Sequence, residues 1–274
     1  MHRMATGSAL RARRLDAGER PRIEALLDSD PVGNVYLRSE LRSGSWTAPW
    51  WAVGDGDTLR AVVLSGSLAV PCIPDARDAT ALAEAIESGA APRVIVGPRD
   101  AAVALHAALG RAARDLRDRQ PLLTLRRGRL DSTDVPIRRA VRSDLDPLVV
   151  AAAAMHREEM GVDPLNVDPA WWRSRMATLV ERGWSWVWME RGQVVFKAEL
   201  SAWTPEAAQL QGVYTAPAHR RRGVASRSIA AICSELFART EQVSLYANRD
   251  NDAALRLYAA LGFERCGDYA TVIY

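Results

Sequence analysis

The sequence contains little lysine, little cysteine and no long apolar run. Lys197 is the only lysine among 36 lysine and arginine residues, and the net charge is +3. A charge this small does not favour a nucleic-acid partner, and such an arginine bias is typical of genome composition rather than of function. The three cysteines, Cys72, Cys233 and Cys266, are far apart and lack C-x-x-C or histidine-ligand spacing. Neither a disulfide framework nor a zinc site is predicted, and no metal is expected.

The apolar runs are too short for a membrane protein. One of the longest, Leu148 to Met155, is well below the roughly 18 residues that a bilayer span requires. The first residues reach Arg11, Arg13 and Arg14 without the apolar region of a signal peptide. We therefore expect a cytoplasmic protein with no membrane partner. At 274 residues, 48% hydrophobic and 25% charged, the chain fits two globular domains.

An internal repeat supports two domains. Asp252–Gly262 and Asp100–Gly110 are identical at eight of eleven positions, each after a strand-like run and each ending in glycine, the usual helix C-cap. Two helices rich in alanine and leucine can also match by chance. However, both halves begin with a strand and then a helix, at Leu10–Arg13 and again at Ile137–Ala140. The polar segment 126–136 is the expected joint.

The second half has a clear order of predicted elements. Alternating Trp184, Trp186 and Trp188 predict a strand with one aromatic face, which is either sheet core or a ligand platform. Further strands are predicted at Val194–Ser201, which completes a hairpin, and at Ala208–Thr215. Apolar residues recurring at three and four positions then predict a helix from Val224 to about Arg239.

The junction between the last two of these elements has the composition of an anion site. Small residues at Gly223 and Ala225 allow close backbone approach, and the first amides of a helix lack intrahelical partners. Arginines 220 to 222 add positive charge. Alone, this segment is more typical of a solvated basic turn than of a phosphate site. It matches neither the P-loop nor the Rossmann glycine pattern, which disfavours a nucleotide triphosphatase and a dinucleotide-dependent dehydrogenase.

Two motifs together resemble the GNAT superfamily of acyl-CoA N-acyltransferases. Arg220-x-x-Gly223-x-Ala225 matches the family's [RQ]-x-x-G-x-[GA] signature, and Asn251 to Phe263 matches its N-x-x-A-x-x-x-Y-x-x-x-G-F motif. The resemblance covers residues 135–274. It implies an α/β (α+β) fold of two GNAT-like mixed-sheet domains in tandem, with a degenerate domain at 1–130 and an acyl-CoA N-acyltransferase domain at 135–274.

The resemblance also implies a cofactor site. Acetyl-CoA would be the co-substrate, its pantetheine pairing with the main chain of Val213 and Thr215 and its pyrophosphate lying on the turn amides. Asn251 would bind the cofactor or cap its own helix. The implied cofactor-binding residues are Val213, Thr215, Arg220, Arg221, Arg222, Gly223, Val224, Ala225, Ser226 and Asn251.

The implied reaction is direct attack of a primary amine, on a small molecule or a protein, at the thioester carbonyl. Tyr258 occupies the position of the family's general acid, or else packs its helix. Glu199, and Glu158 or Glu159, are candidate bases, or else solvated carboxylates. A regulatory or scaffold protein that binds acyl-CoA without turnover is the alternative function, and the oligomeric state is open.

The first half lacks the matching chemistry. It has His106 where the repeat places Tyr258, Arg99 where it places Asn251, and Pro71 and Pro74 in place of a glycine turn. We expect a degenerate copy without a cofactor site, in which His106 is an ordinary helix residue. This layout, with one active half, resembles that of the mycothiol synthases.

Overall fold

The chain forms two compact units. Its structure is a computed structural model, which describes residues 11–44, 46, 48–55, 58–89, 91–128, 130 and 134–274. The N-terminal unit consists of Met1–Leu122, Tyr246–Asp250 and Cys266–Tyr274, and the C-terminal unit of Leu123–Leu245 and Asn251–Arg265. Within the described ranges, no helix has both the length and the apolar content needed to cross a bilayer. The division of the sequence at residues 130–135 into two domains stays a prediction.

The N-terminal unit is a mixed sheet with helices on both faces. Its strand order is β1-β2-β3-β4-β5-β12. Successive residues of β3 alternate between two cores: Val62 packs with α1 and α2, and Val63 with α3 and α4. The elements are β1 (Arg13–Arg14), α1 (Arg20–Leu27), α2 (Val35–Ser43), β2 (Trp50–Asp55), β3 (Thr58–Ser65), β4 (Leu68–Cys72), α3 (Ala79–Glu87), β5 (Val94–Pro98), α4 (Arg99–Leu109) and β12 (Glu264–Ile273).

The C-terminal unit repeats this plan with the strand order β11-β10-β9-β8-β7. Strand β6 (Asp115–Arg126) contributes to both units, because the boundary falls after Leu122. The elements are β7 (Ile137–Arg139), α5 (Leu145–Met160), α6 (Pro169–Glu181), β8 (Ser185–Glu190), β9 (Gln193–Trp203), β10 (Ala207–Thr215), α7 (Val224–Leu236), β11 (Gln242–Tyr246) and α8 (Asp252–Ala260).

The predicted hairpin and the helix after the glycine turn are confirmed. Trp186 and Trp188 lie opposite Ala198 and Phe196 in the β8–β9 register and are buried, so these two are sheet core. Trp184, the third of the predicted row, precedes β8 and is half-buried. In α7, the apolar residues at three- and four-residue spacing are buried, which anchors the helix on the sheet. The helix ends at Leu236, before the expected Arg239.

The two repeats begin with equivalent ion pairs. Arg13 donates to Glu19 at 2.7 Å, and Arg138 donates to Asp144 at 2.6 Å, six residues apart in both cases. The predicted strand and helix follow each other in both halves, although the first strand is Arg13–Arg14, and Leu10 lies outside the described residues. Asp144 also accepts from the amide of Val141 at 2.8 Å, which caps the first helical turn before α5.

The last strand of each repeat is exchanged. Strand β12 follows α8 of the second repeat but pairs antiparallel with β5 of the N-terminal unit, from Tyr269 to Ile273. Strand β6 follows α4 of the first repeat but neighbours β11, where the Thr124 hydroxyl donates to Gln242 Oε1 at 3.2 Å. Each unit therefore contains a strand from the other half of the sequence.

Candidate active site

Strands β10 and β11 separate at the centre of the C-terminal unit. They pair in parallel only at Ala207–Gln209 with Gln242–Ser244, although β10 continues to Thr215. Beyond Gln209, β10 has a partner strand on one side only, β9. Val213 and Thr215 lie in this open part. A backbone edge left without a strand is able to pair with an extended ligand.

The turn after β10 presents a row of unpaired amides. Gly223, the residue before α7, has φ +71°, and Arg221 has φ +60°. In the part of the chain that the structure describes, none of the amides of residues 221–226 has an acceptor with hydrogen-bond geometry. Because they lie at the positive end of the helix dipole, these amides suit an anion such as a pyrophosphate. Val224 is anchored in the core, which fixes the turn.

The three predicted arginines differ in their contacts. Arg220 donates to both carboxylate oxygens of Glu158, at 2.7 and 2.9 Å, and to the carbonyl of Thr215 at 3.0 Å. Its guanidinium therefore links α5 to the end of β10. Arg221 and Arg222 are exposed beside the amide row, where they are able to contact an anion.

Tyr258 lies on α8, buried at 6% exposure, with its ring 5.6 Å from that of Phe263. Burial raises the pKa of the Tyr258 phenol above its ordinary value, and the nearby Glu159 and Cys233 raise it further. Among the described residues its hydroxyl has no hydrogen-bond partner. The phenol therefore stays protonated at neutral pH, as a proton donor must.

Asn251 caps its own helix. Its Oδ1 accepts from the amide of Ala254 at 3.1 Å, the second of the two roles expected for this residue. A cofactor contact through its side-chain amide nitrogen stays a prediction.

The candidate bases are more constrained than the sequence suggests. Glu199 is buried and bound to Lys197 Nζ at 2.6 Å, so the expectation of a solvated carboxylate is wrong for this residue. The sequence gives no sign of this, because exposed and buried glutamates on a strand look alike. Glu158 is paired with Arg220, whereas Glu159 lies close enough to Tyr258 to influence its pKa.

Two residues of the site were missed from the sequence. Lys197, on β9, is fully buried. Its Nζ also donates to the carbonyl of Gly212 in the neighbouring strand β10 at 2.9 Å. Gly212 has φ +59°, in a bulge of β10. The singularity of Lys197 in an arginine-rich sequence was the available signal.

Comparison with known proteins agrees with this geometry. Residues 196–272 match the family model described as FR47-like protein. The chain is similar to a GNAT-family acetyltransferase from Colwellia psychrerythraea, at 13% identity and a TM-score of 0.63, with 96% of this chain and 99% of that chain covered. It is also similar to a tandem GNAT protein from the clavulanic acid biosynthesis pathway, at 14% identity and a TM-score of 0.58, with 96% and 98% covered. This chain has a tandem GNAT fold.

A third similar structure, a GCN5-related N-acetyltransferase from Kribbella flavida, is 18% identical with a TM-score of 0.57, and 88% of this chain and 93% of that chain are covered. Residues 48–148 match a family model described as a domain of unknown function. No curated protein matches the sequence. At these identities the likeness concerns the fold. The tandem GNAT fold that the two motifs and the internal repeat together implied is confirmed.

In the first GNAT repeat, the place beyond the last β4–β5 pairing is filled by a side chain. Strands β4 and β5 pair in parallel at Leu68 and Ala69, and Pro71 then packs against Gly97, where an added Cβ would lie 3.4 Å from the proline Cδ. Proline has no amide to offer a ligand at this point.

His106, which stands in the first repeat where the second has Tyr258, makes contacts within the fold. His106 Nδ1 lies 2.9 Å from the hydroxyl of Tyr274, and the guanidinium of Arg111 stacks 4.0 Å above the Tyr274 ring. These contacts support the prediction that His106 is a structural helix residue.

Proposed function

We propose that the C-terminal unit is an acyl-CoA N-acyltransferase that moves an acetyl group from acetyl-CoA to a primary amine. The amide row of residues 221–226 carries this proposal, because it follows an open strand edge and a left-handed Gly223. Backbone amides at a helix start bind a pyrophosphate without requiring a specific side chain. The strand edge then lies where an extended pantetheine arm pairs with Val213 and Thr215.

The proposed reaction needs one proton donor and one proton acceptor. The amine nitrogen forms a bond to the thioester carbonyl carbon, the carbon–sulfur bond breaks, and the amine loses a proton. The departing thiolate takes a proton from the Tyr258 hydroxyl, which solvent then replaces. The phenol carries its proton at neutral pH, and a thiolate of similar ordinary basicity is able to accept it, although burial in the ligand-free protein raises the pKa of the phenol and so weakens it as an acid. The proposed proton acceptor is Glu199, through a carboxylate that Lys197 holds in place.

The acceptor amine belongs to a small molecule or to a protein. An acyl-CoA-binding protein without turnover is the second candidate, and one observation favours it: Glu199 and Glu158 are both ion-paired. In that case the unit binds acyl-CoA with the same turn but releases no thiol.

Two measurements separate these functions. Calorimetric titration with acetyl-CoA is expected to give one site per chain, and no binding would contradict both. Thiol release with a panel of small amines and amine-bearing peptides then distinguishes the enzyme from the binding protein, since only the enzyme releases CoA faster when an amine is added.

A further inference from the structure

Lys197 is the one exception to a strong rule of this sequence. All the other residues among its 36 lysines and arginines are arginines. Most of these arginines reach solvent, whereas Lys197 is fully buried. An ammonium is smaller than a guanidinium and directs three donors from one atom. Because the site around Lys197 is closed to solvent, the larger guanidinium of an arginine does not substitute there for the ammonium.

The ammonium of Lys197 binds two groups. Its Nζ donates to Glu199 Oε1 at 2.6 Å and to the Gly212 carbonyl at 2.9 Å. The lysine and glutamate side chains are 0% and 4% exposed. The carboxylate neutralises the cation, and the remaining interaction is directed at the backbone of β10.

That backbone carbonyl belongs to a bulge. In the β9–β10 register, Gln211 lies opposite Glu199 and Tyr214 opposite Lys197. Two residues of β10, Gly212 and Val213, therefore stand against one residue of β9, Ala198. A Cβ at Gly212 would lie 2.8 Å from Glu199 Oε2 and 3.0 Å from Lys197 Nζ. Glycine is thus required both by its φ of +59° and by the ion pair beneath it.

Stability alone does not account for such a pair. Two apolar residues of similar volume usually stabilise a core as well as a buried ion pair does. An apolar pair cannot bind a carbonyl that has turned out of the ladder, and a cation can. The bulge lies in the part of β10 beyond its last pairing with β11, the strand edge on which the proposed function places the pantetheine arm.

We propose that Lys197 is a positioning residue, which holds the Gly212 carbonyl and thereby fixes the backbone of β10 that faces the acyl group, with Glu199 as its counter-ion. This inference deepens the proposed function and rests on it. Fixing the bulge sets the direction of the neighbouring amides toward the thioester. An error of about 1 Å in such a position is able to cost about 10²-fold in rate.

The test is a cycle of Lys197→Met, Glu199→Gln and the double variant. Lys197→Met alone leaves a buried carboxylate without its partner and is expected to destabilise the fold strongly. The double variant removes both charges and should regain the fold. Because Glu199→Gln by itself already removes the proposed base, the effect of Lys197 is measured against that variant. The double variant should have a kcat about 10- to 100-fold below that of Glu199→Gln, with the KM for the amine changed little.

A matched control removes a different ion pair from the same unit. Arg138→Met with Asp144→Asn deletes the pair before α5 and leaves the bulge intact. This control should keep kcat within a few fold of the parent. An equal loss of kcat in both double variants would overturn the inference, because it would mean that any lost ion pair has this effect.

Amide hydrogen exchange gives a readout that needs no turnover. In the ligand-free protein, a peptide covering residues 210–215 should exchange faster in the Lys197→Met, Glu199→Gln variant than in the parent, and at the parental rate in the control. Unchanged exchange would overturn the inference even if the parent proves to be an active acyltransferase. If the variant exchanges faster than the parent but the parent shows no turnover, the proposed function is contradicted. The anchoring of the bulge by Lys197 is then still supported.

The cycle also separates the positioning role of Lys197 from the loss of a base at Glu199. If Lys197 holds the bulge with Glu199 as its counter-ion, the double variant is more stable than Lys197→Met alone and less active than Glu199→Gln. If Lys197 has no positioning role, the double variant is as active as Glu199→Gln. That second result would overturn the role given to Lys197.

Discussion

The two repeats share a helix and differ in the backbone before it. Helices α4 and α8 come from the segments with eight identical positions in eleven. Strand β10 keeps an open edge and is followed by a row of unpaired amides, whereas in the turn after β4 the amides of Arg77 and Asp78 are bound by Asp75. In the first repeat, Pro71 fills the equivalent space against Gly97. The site therefore depends on backbone geometry at one turn and one bulge, and similarity of the helices says little about activity.

The largest effect is expected at the glycine of the turn. Gly223→Val places a branched side chain at φ +71°, so the turn must change and the amide row is lost. Losing two charge-assisted hydrogen bonds, at about 1.5–3 kcal/mol each, lowers acetyl-CoA affinity by about 10² to 10⁴. Calorimetry measures this loss. Gly110→Val, at φ +62° in the first repeat, is the control for strain and should leave the affinity for acetyl-CoA unchanged. Equal losses of affinity in both variants would contradict a pyrophosphate site on the amides of residues 221–226.

The second effect compares Tyr258 with His106. Tyr258→Phe keeps the ring that packs on Phe263 but removes the proton donor, so kcat should fall about 10²-fold or more at an unchanged KM for acetyl-CoA. Steady-state kinetics with chemistry as the rate-limiting step measures it, and parental kcat would make Tyr258 a packing residue. Because burial raises its pKa, the phenol stays protonated, and the parent should lose no activity through Tyr258 between pH 7 and about pH 10.

A smaller effect on stability is expected at the ion pairs that open the repeats. The arginine hydrogen bonds lower the pKa values of Asp144 and Glu19, so both carboxylates stabilise the fold above their ordinary pKa of about 4 and lose this contribution as pH falls through the lowered value. Asp144→Asn should reduce the free energy of unfolding at pH 7 by about 1–2 kcal/mol, since Arg138 is half exposed.

Thermal unfolding at pH 7 and pH 3 measures this difference. Glu19→Gln in the first repeat should have a comparable effect, because Glu19 also accepts from a backbone amide, that of Asp16, and from Arg22 at 3.5 Å. Each variant should approach the parent at low pH, where the parental carboxylate is itself protonated. A deficit that is the same at both pH values would show that charge is not the cause.

The smallest effect is expected at the chemical positions of the first repeat. His106→Ala and Arg99→Ala should leave turnover within a few fold of the parent, while His106→Ala lowers the melting temperature because its bond to Tyr274 is lost. Thiol release and thermal unfolding measure the two quantities. A large loss of turnover without unfolding would give the first repeat a chemical role.

Local patterns in the sequence predicted much of the C-terminal unit. The tryptophan alternation, the three- and four-residue spacing of α7 and the glycine turn each depend on residues close in sequence. The strand Asp115–Arg126 was not predicted, since its first half mixes charges without a clear period. The exchange of β6 and β12 was not predicted either, because a strand pattern indicates which face is buried but not which strand is the partner.

The candidate site also has some features that local sequence predicts and others that depend on tertiary packing. The amides of residues 221–226 follow from a glycine before a helix, which is a local signal. The pairing of Lys197 with Glu199 is also close in sequence, but its burial depends on helices packed over the sheet and on the bulge at Gly212. A charged residue on a strand is ordinarily interpreted as solvated, and only the packed structure corrects this.

The exchange of β12 has a consequence for synthesis on the ribosome. Strand β5 is translated long before its antiparallel partner, whose pairing with β5 begins at Tyr269. At 5–20 residues per second, β5 waits about 10 to 30 s with one edge unpaired. Such an edge is a template for wrong pairing with other nascent chains. The unit that is translated first is therefore the one that finishes folding last, and a ribosome that stalls after α8 leaves it incomplete.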